Sequence, residues 1–197
     1  MKTMKKGLVQ VYTGNGKGKT TAAIGQAIRA LGQDYKVCLI QFFKKPTSGE
    51  IKILKNLLSI KLHPHLSPPP LRGRIEEGGN SYTIKLLHPL PLYPEEKNRN
   101  FLRRKMKDIL PKISKIIESK DYDLVILDEI LIALREHLLA EEEILDLLKN
   151  KPKSVEVILT GRGASKKVLE AADLVTEMKE VKHPWRRGVR ARKGIEY

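Results

Sequence analysis

A glycine-rich, basic segment near the start of the chain, residues 13–21, constrains the fold more than any other feature. An apolar run from Leu8 to Tyr12 precedes this segment, and a helix-like run from Ala22 to Leu31 follows it. A strand, a glycine-rich loop and a helix in this order are typical of a phosphate-binding loop, whose backbone N–H groups surround phosphate oxygens. The sequence therefore predicts an α/β protein that binds a nucleotide.

The residue types in this loop suit a triphosphate and a metal ion. Glycines let the backbone approach the phosphates, Lys19 supplies a positive charge, and Thr20 offers a hydroxyl to magnesium. The spacing is shorter than usual, because Gly14 leaves three residues before Gly-Lys-Thr where the common pattern has four. We therefore expect the loop to hold its phosphates differently from a hydrolase. The predicted ATP-binding residues of the loop are Gly14, Asn15, Gly16, Lys17, Gly18, Lys19, Thr20 and Thr21.

Short runs of branched apolar residues alternate with helix-like periodicity along the whole chain. Alternation of this kind predicts a mostly parallel, doubly wound sheet flanked by helices, and 197 residues are enough for one domain with a substantial core. The predicted strands are Leu8 to Tyr12, Val37 to Phe43, Leu124 to Asp128, Val155 to Thr160 and Leu174 to Met178.

One stretch of the chain, residues 63–94, has no sustained periodicity. It holds seven of the eleven prolines and a pair of adjacent glycines. Proline removes a backbone donor and glycine favours turns, so this composition predicts a proline-rich loop or insertion within the domain.

Two further segments lie where a parallel sheet delivers its ligands. The run ending in Asp128 and Glu129 is an apolar strand followed by two carboxylates, as in the second magnesium-binding motif of proteins with a phosphate-binding loop. Arg162 follows the next predicted strand and is a candidate phosphate clamp. Because parallel strands place their carboxyl ends at one edge, we expect these side chains to face Thr20.

Composition narrows the functional class only partly. A formal net charge of +15 suggests an anionic partner. No aromatic residues are interleaved with the basic ones as on a single-strand-binding surface, so nucleic acid is not the favoured partner.

The single cysteine, Cys38, excludes an internal disulfide and fits a buried thiol in a reducing cytoplasm. No apolar stretch reaches the roughly 20 residues needed to cross a bilayer, so we expect no membrane association.

Several motifs together resemble the ATP:corrinoid adenosyltransferases of the bacterial housekeeping type. The residues that carry the resemblance are Thr13 to Ala23, Ile126 to Glu129, Leu159 to Ala164, Ala172 to Met178, and Val181 through Gly188 to the ending Gly194-Ile195-Glu196-Tyr197.

The resemblance implies transfer of the 5'-deoxyadenosyl group of ATP to the cobalt(I) of a reduced corrinoid, with release of triphosphate. It implies a requirement for Mg²⁺ or Mn²⁺, a homodimer, and a reduced flavoprotein as electron donor. Residues 14–21 would hold the triphosphate, Arg29 and Arg162 would clamp phosphates, and Thr20 with Glu129 and Asp128 would hold the metal. In this family the nucleotide lies reversed relative to hydrolases, which leaves C5' of the ribose open to attack.

One departure from the family concerns the corrinoid side of the site. Relatives carry a glycine and aromatic segment between the second strand and the long helix, and this chain has the proline-rich stretch there instead. Tyr93 and Trp185 are the candidate corrinoid contacts. Two other functions stay open from the residues alone: a P-loop ATPase acting on nucleic acid, and a nucleotide-dependent binding module without turnover.

Overall fold

The computed structural model describes residues 4–44, 48–57, 84–90 and 93–195, which form one α/β domain. In chain order the elements are β1 (Val9–Thr13), α1 (Lys19–Leu31), β2 (Val37–Phe42), α2 (Gly49–Leu57), β3 (Ile84–Leu90), a 3-10 turn (Glu96–Asn98), α3 (Arg99–Glu118), β4 (Leu124–Asp128), α4 (Ile130–Arg135), α5 (Glu141–Lys149), β5 (Glu156–Thr160), α6 (Lys166–Glu170), β6 (Leu174–Glu177) and a second 3-10 turn (Pro184–Arg187).

The six described strands form one sheet in the order β3-β2-β4-β5-β1-β6, and every neighbouring pair is parallel. Parallel neighbours require crossover connections, which the helices between the strands provide. The strand β1, which leads into the glycine-rich loop, is separated from β4 by β5 alone. The carboxyl ends of these three strands therefore lie side by side at one edge of the sheet.

Helices cover both faces of the sheet, because successive strand residues point in opposite directions. On one face, alternate β2 residues Cys38, Ile40 and Phe42 pack with buried residues of α3, α4 and α5. On the other face, Val37 and Leu39 pack with buried residues of α1 and α2. Strands buried on both sides read as continuous apolar runs, which is why the sequence pattern located them.

The predicted fold class is confirmed, and each of the five predicted strands is present to within one residue at either end. The prediction of a loop over residues 63–94 is wrong for Ile84–Leu90, which form β3 and pair with β2. Ile84 and Leu90 are buried in the two cores, so this edge strand belongs to the domain. Pro89 is tolerated there because an edge strand leaves one side of its backbone without a ladder partner. Residues 63–83 and 91–92 lie outside the described residues.

Candidate nucleotide and metal site

The carboxyl ends of β1, β2, β4 and β5 bring the predicted site residues to one edge of the sheet. The glycine-rich loop follows β1, Lys44 follows β2, Asp128 ends β4, and Arg162 lies just after β5. This is the edge at which parallel α/β sheets place their ligands.

Lys19 lies at the start of α1 and points back into the loop. Its ammonium donates to the carbonyl oxygens of Gly14, at 2.8 Å, and Gly16, at 2.6 Å. Burial lowers the pKa of Lys19, and the neighbouring Glu129 carboxylate opposes that effect. The lysine thus holds a fixed, largely desolvated positive charge inside the loop, where a phosphate would gain most from it. Asn15, Lys17 and Thr21 are exposed around it.

The loop glycines serve a packing role that the sequence did not reveal. The N–H of Gly16 donates to the carbonyl oxygen of Met178 at 2.6 Å, and Met178 N–H donates to Thr13 at 2.9 Å. A Cβ atom on Gly14 or Gly16 would lie only 2.5 or 2.6 Å from the Met178 oxygen. The end of β6 therefore lies directly against the loop. Packing alone requires glycine at both positions, whether or not a phosphate is bound.

Asp128 is a fully buried carboxylate that organises the centre of the site. Its Oδ1 accepts hydrogen bonds from the hydroxyls of Thr20, at 2.9 Å, and Thr160, at 2.7 Å. Its Oδ2 accepts from the amide of Gln41, at 3.0 Å, and the ammonium of Lys44, at 2.8 Å. Four donors saturate the lone pairs of the carboxylate, so Asp128 positions its neighbours.

Glu129 is held in an unusual backbone conformation next to this cluster. Its φ of 66° lies in the left-handed region, which is costly for a residue with a side chain. The backbone N–H of Glu129 donates to the Thr160 hydroxyl at 2.9 Å, which links it to Asp128. Burial raises the pKa of the Glu129 carboxyl, and the ammonium of Lys44 counteracts this. A strained, partly desolvated carboxylate is a common feature of functional sites.

Lys44 is the functional residue that sequence reasoning missed. Its ammonium lies 2.6 Å from Thr20 Oγ1, 2.8 Å from Asp128 Oδ2 and 4.0 Å from Glu129 Oε1. The residue before it, Phe43, has a left-handed φ of 55°. The sequence pattern could have identified Lys44, because this residue follows the carboxyl end of a buried parallel strand just as Glu129 does.

The C-terminal segment borders the site on the side of β6. A cavity of about 630 Å³ is lined by Arg162, Glu180, His183, Trp185 and Arg186. Further along, the Lys17 ammonium of the loop donates to the carbonyl oxygen of Ile195 at 3.0 Å. These contacts place Arg162 and the tail beside the glycine-rich loop.

Two predicted site residues lie further from the loop. Arg29 is in the last turn of α1, ten residues after Lys19 and thus about 15 Å further along the helix axis, and its role as a phosphate clamp stays a prediction. Tyr93 packs edge-on against Phe43, with ring centroids 6.2 Å apart, and its hydroxyl accepts a hydrogen bond from Arg135 at 3.1 Å. Tyr93 therefore neighbours the turn that positions Lys44.

The parallel sheet, the loop with its buried lysine, and the threonine and carboxylate cluster beside it define a P-loop nucleotide-binding protein. A solved structure with the same fold is the flagellar accessory protein FlaH of Methanocaldococcus jannaschii, at a TM-score of 0.56 and 15% identity over 88% of this chain and 72% of that one. The family model for ATP:corrinoid adenosyltransferase BtuR/CobO/CobP matches residues 5–197. The chain belongs to this family of transferases, as the resemblance in its motifs predicted.

Corrinoid adenosyltransferases from three bacteria are similar to the chain over almost its whole length. That of Escherichia coli K12 is 32% identical over 98% of this chain and 87% of its own length. The Salmonella typhimurium LT2 protein, CobA, gives the same three values. That of Pseudomonas aeruginosa PAO1 is 31% identical over 98% of this chain and 85% of its own length.

Among the helices that the structure describes, none has the length and apolar character needed to span a membrane.

Proposed function

We propose that this protein transfers the 5'-deoxyadenosyl group of ATP to the cobalt(I) of a reduced corrinoid and releases triphosphate. Family membership supports the reaction, and one structural observation carries the assignment of the site. The buried Lys19 ammonium points into the glycine-rich loop, and Thr20, the next residue of α1, donates a hydrogen bond to Asp128, which precedes Glu129. A triphosphate and a divalent cation are the ligands that such a charge pattern suits.

The residues present fit a divalent metal ion. Oxygen atoms of Thr20, Asp128 and Glu129 lie around the ammonium of Lys44, which supports a cation at this position. The Oε1 atom of the Gln41 amide, whose nitrogen donates to Asp128, is buried and has no hydrogen-bond partner among the described residues. Mg²⁺ and Mn²⁺ prefer oxygen ligands and bind through one or two carboxylates plus substrate phosphates. We assign Thr20 and Glu129 as ligands, and Asp128 as the residue that orients Thr20.

The metal, when bound, neutralises charge on the triphosphate. In the transfer step the cobalt(I) electron pair forms the bond to C5' of the ribose, and the C5'–oxygen bond breaks with its electron pair leaving on the triphosphate. Lys19, Lys17 and Arg162 stabilise the negative charge that develops on the leaving group. No proton has to move at the reacting atoms, so catalysis rests on positioning and charge neutralisation and needs no acid or base from the protein.

The corrinoid side of the proposal involves two exposed aromatic residues, Trp185 and Tyr93. Trp185 is 72% exposed beside Arg162, and Tyr93 is 49% exposed beside Phe43. Exposed aromatic rings at the rim of a site suit a large, flat, partly apolar ligand. We therefore propose Tyr93 and Trp185 as corrinoid contacts.

The homodimer, the flavoprotein donor and a cytoplasmic location stay predictions. In support of a homodimer, the edge strand β6 exposes Leu174 and Val175, each more than 40% accessible. The net charge of +15 is compatible with an acidic donor protein.

A single reaction mixture tests the function. The protein is incubated with MgATP and chemically reduced cobalamin, the cobalt–carbon product is followed by its absorption spectrum, and the phosphate product is identified by ion chromatography. Adenosylated corrinoid and triphosphate in equal amounts are expected. ADP and phosphate without adenosylated corrinoid would instead indicate an ATPase, and ATP binding without any product would indicate a binding module.

A further inference from the structure

Lys44 occupies the position where the proposed site needs a metal ion. Its ammonium contacts Thr20 Oγ1 and Asp128 Oδ2 at 2.6 and 2.8 Å, with Glu129 Oε1 at 4.0 Å. The Lys44 side chain is 28% exposed, whereas Asp128 is completely buried. The lysine therefore supplies the positive charge that this buried carboxylate requires.

The chemistry of the Thr20 hydroxyl makes Lys44 and a metal ion competitors. A hydroxyl has one hydrogen and two lone pairs, and Thr20 gives its hydrogen to Asp128. Lys44 uses a lone pair of the same oxygen, which is the atom that a metal ion would have to bind. A divalent cation bound to this oxygen would also lie next to the Lys44 ammonium, and the two positive charges would repel each other.

The backbone around Lys44 indicates that this contact is built into the fold. Phe43 and Glu129 follow adjacent parallel strands, and both adopt left-handed φ angles, 55° and 66°. The Phe43 N–H donates to the carbonyl oxygen of Leu90 at 2.6 Å, which ties this turn to β3. Strained residues at two neighbouring strand ends thus direct Lys44 and Glu129 toward the same point. Backbone strain of this kind is common at switch and ligand-binding sites.

We propose that Lys44 is an internal counter-cation that keeps divalent metal out of the Thr20, Asp128 and Glu129 site until a triphosphate binds. An incoming triphosphate offers the ammonium a more highly charged partner, so Lys44 moves to the phosphates and the metal enters with the nucleotide. Lys44 is thus a positioning residue that couples the two binding events. This inference rests on the proposed metal site at Thr20 and Glu129.

The test measures Mn²⁺ binding without nucleotide, by the loss of the free-ion electron paramagnetic resonance signal. In Lys44→Met the competing charge is gone, and Mn²⁺ affinity is expected to rise at least about tenfold over wild type. Lys52→Met, on the exposed face of α2, removes the same charge elsewhere and is expected to change Mn²⁺ affinity less than twofold. Equal Mn²⁺ affinity in Lys44→Met and Lys52→Met would overturn the inference.

Two further measurements keep the test decisive. If Lys44→Met is poorly folded, Lys44→Gln replaces it, because the amide keeps a hydrogen-bond donor for Asp128 while removing the charge. Inorganic triphosphate should bind about tenfold more weakly to the Lys44 variant than to Lys52→Met, as measured by calorimetry, and equal affinities would refute the proposed move of Lys44. Wild-type protein that fails to bind Mn²⁺ even with ATP would refute the proposed metal site itself.

Discussion

The contact between the glycine-rich loop and the end of β6 leads to a prediction that separates packing from phosphate binding. In Gly16→Ala the new Cβ would lie 2.6 Å from the Met178 oxygen, 2.9 Å from its carbonyl carbon and 3.0 Å from the carbonyl carbon of Lys179. Ordinary van der Waals contact begins at 3.4 Å, so the backbone must move by about 0.8 Å. All three atoms are main chain, and no side-chain rotation can relieve the overlap.

The expected cost follows from two contributions. Overpacking of this kind costs about 1–3 kcal/mol. Weakening the hydrogen bond from Gly16 N–H to Met178 adds about 0.5–1.5 kcal/mol. For a chain of this size each kcal/mol lowers the melting temperature by about 2–4 °C, so Gly16→Ala should lower it by roughly 3–18 °C in the absence of nucleotide.

Gly25 provides the matched control. It lies within α1, and a Cβ there meets nothing within 4 Å. Alanine in a helix interior is favoured over glycine by about 0.5–1 kcal/mol, so Gly25→Ala should raise the melting temperature by about 1–4 °C. Both variants are followed by circular dichroism, and ATP binding is measured by calorimetry. If Gly16→Ala loses ATP affinity but melts like wild type, glycine is needed there for phosphate alone and the packing explanation is wrong.

Two substitutions test separate parts of the site, and a thiol reaction tests the core. Lys19→Ala removes the buried ammonium opposite the phosphates and should weaken ATP binding at least about tenfold by calorimetry; unchanged affinity would show that another group supplies the charge. Glu129→Gln keeps the size of a proposed metal ligand but not its charge, so half-maximal activity should need about tenfold more Mg²⁺, and an identical magnesium titration would exclude this role. Burial raises the pKa of the Cys38 thiol to about 12, because the thiolate is disfavoured without water. At pH 8 the folded protein should therefore react with a thiol reagent far more slowly than protein in guanidinium, and equal rates would contradict the buried position.

A good part of the site could be located from the sequence because it depends on local patterns. The loop ending in Lys19 and Thr20 follows an apolar run and precedes a helical one, and Glu129 follows another apolar run. Parallel strands end at a common edge, so topology alone was enough to bring these segments together. The buried state of Cys38 also follows from its place in a continuous apolar run.

Contacts between distant segments were decided only by the tertiary structure. The sequence did not reveal strand β3, because two prolines lie within or next to it and its apolar residues show little periodicity. Pairing with β2 stabilises this strand. The role of Lys44 depends on the left-handed turn at Phe43, and the need for glycine at position 16 depends on Met178, 162 residues away. Steric and electrostatic contacts of this kind act between atoms that are neighbours only after folding, so local sequence determined which groups the site contains, and packing determined which of them touch.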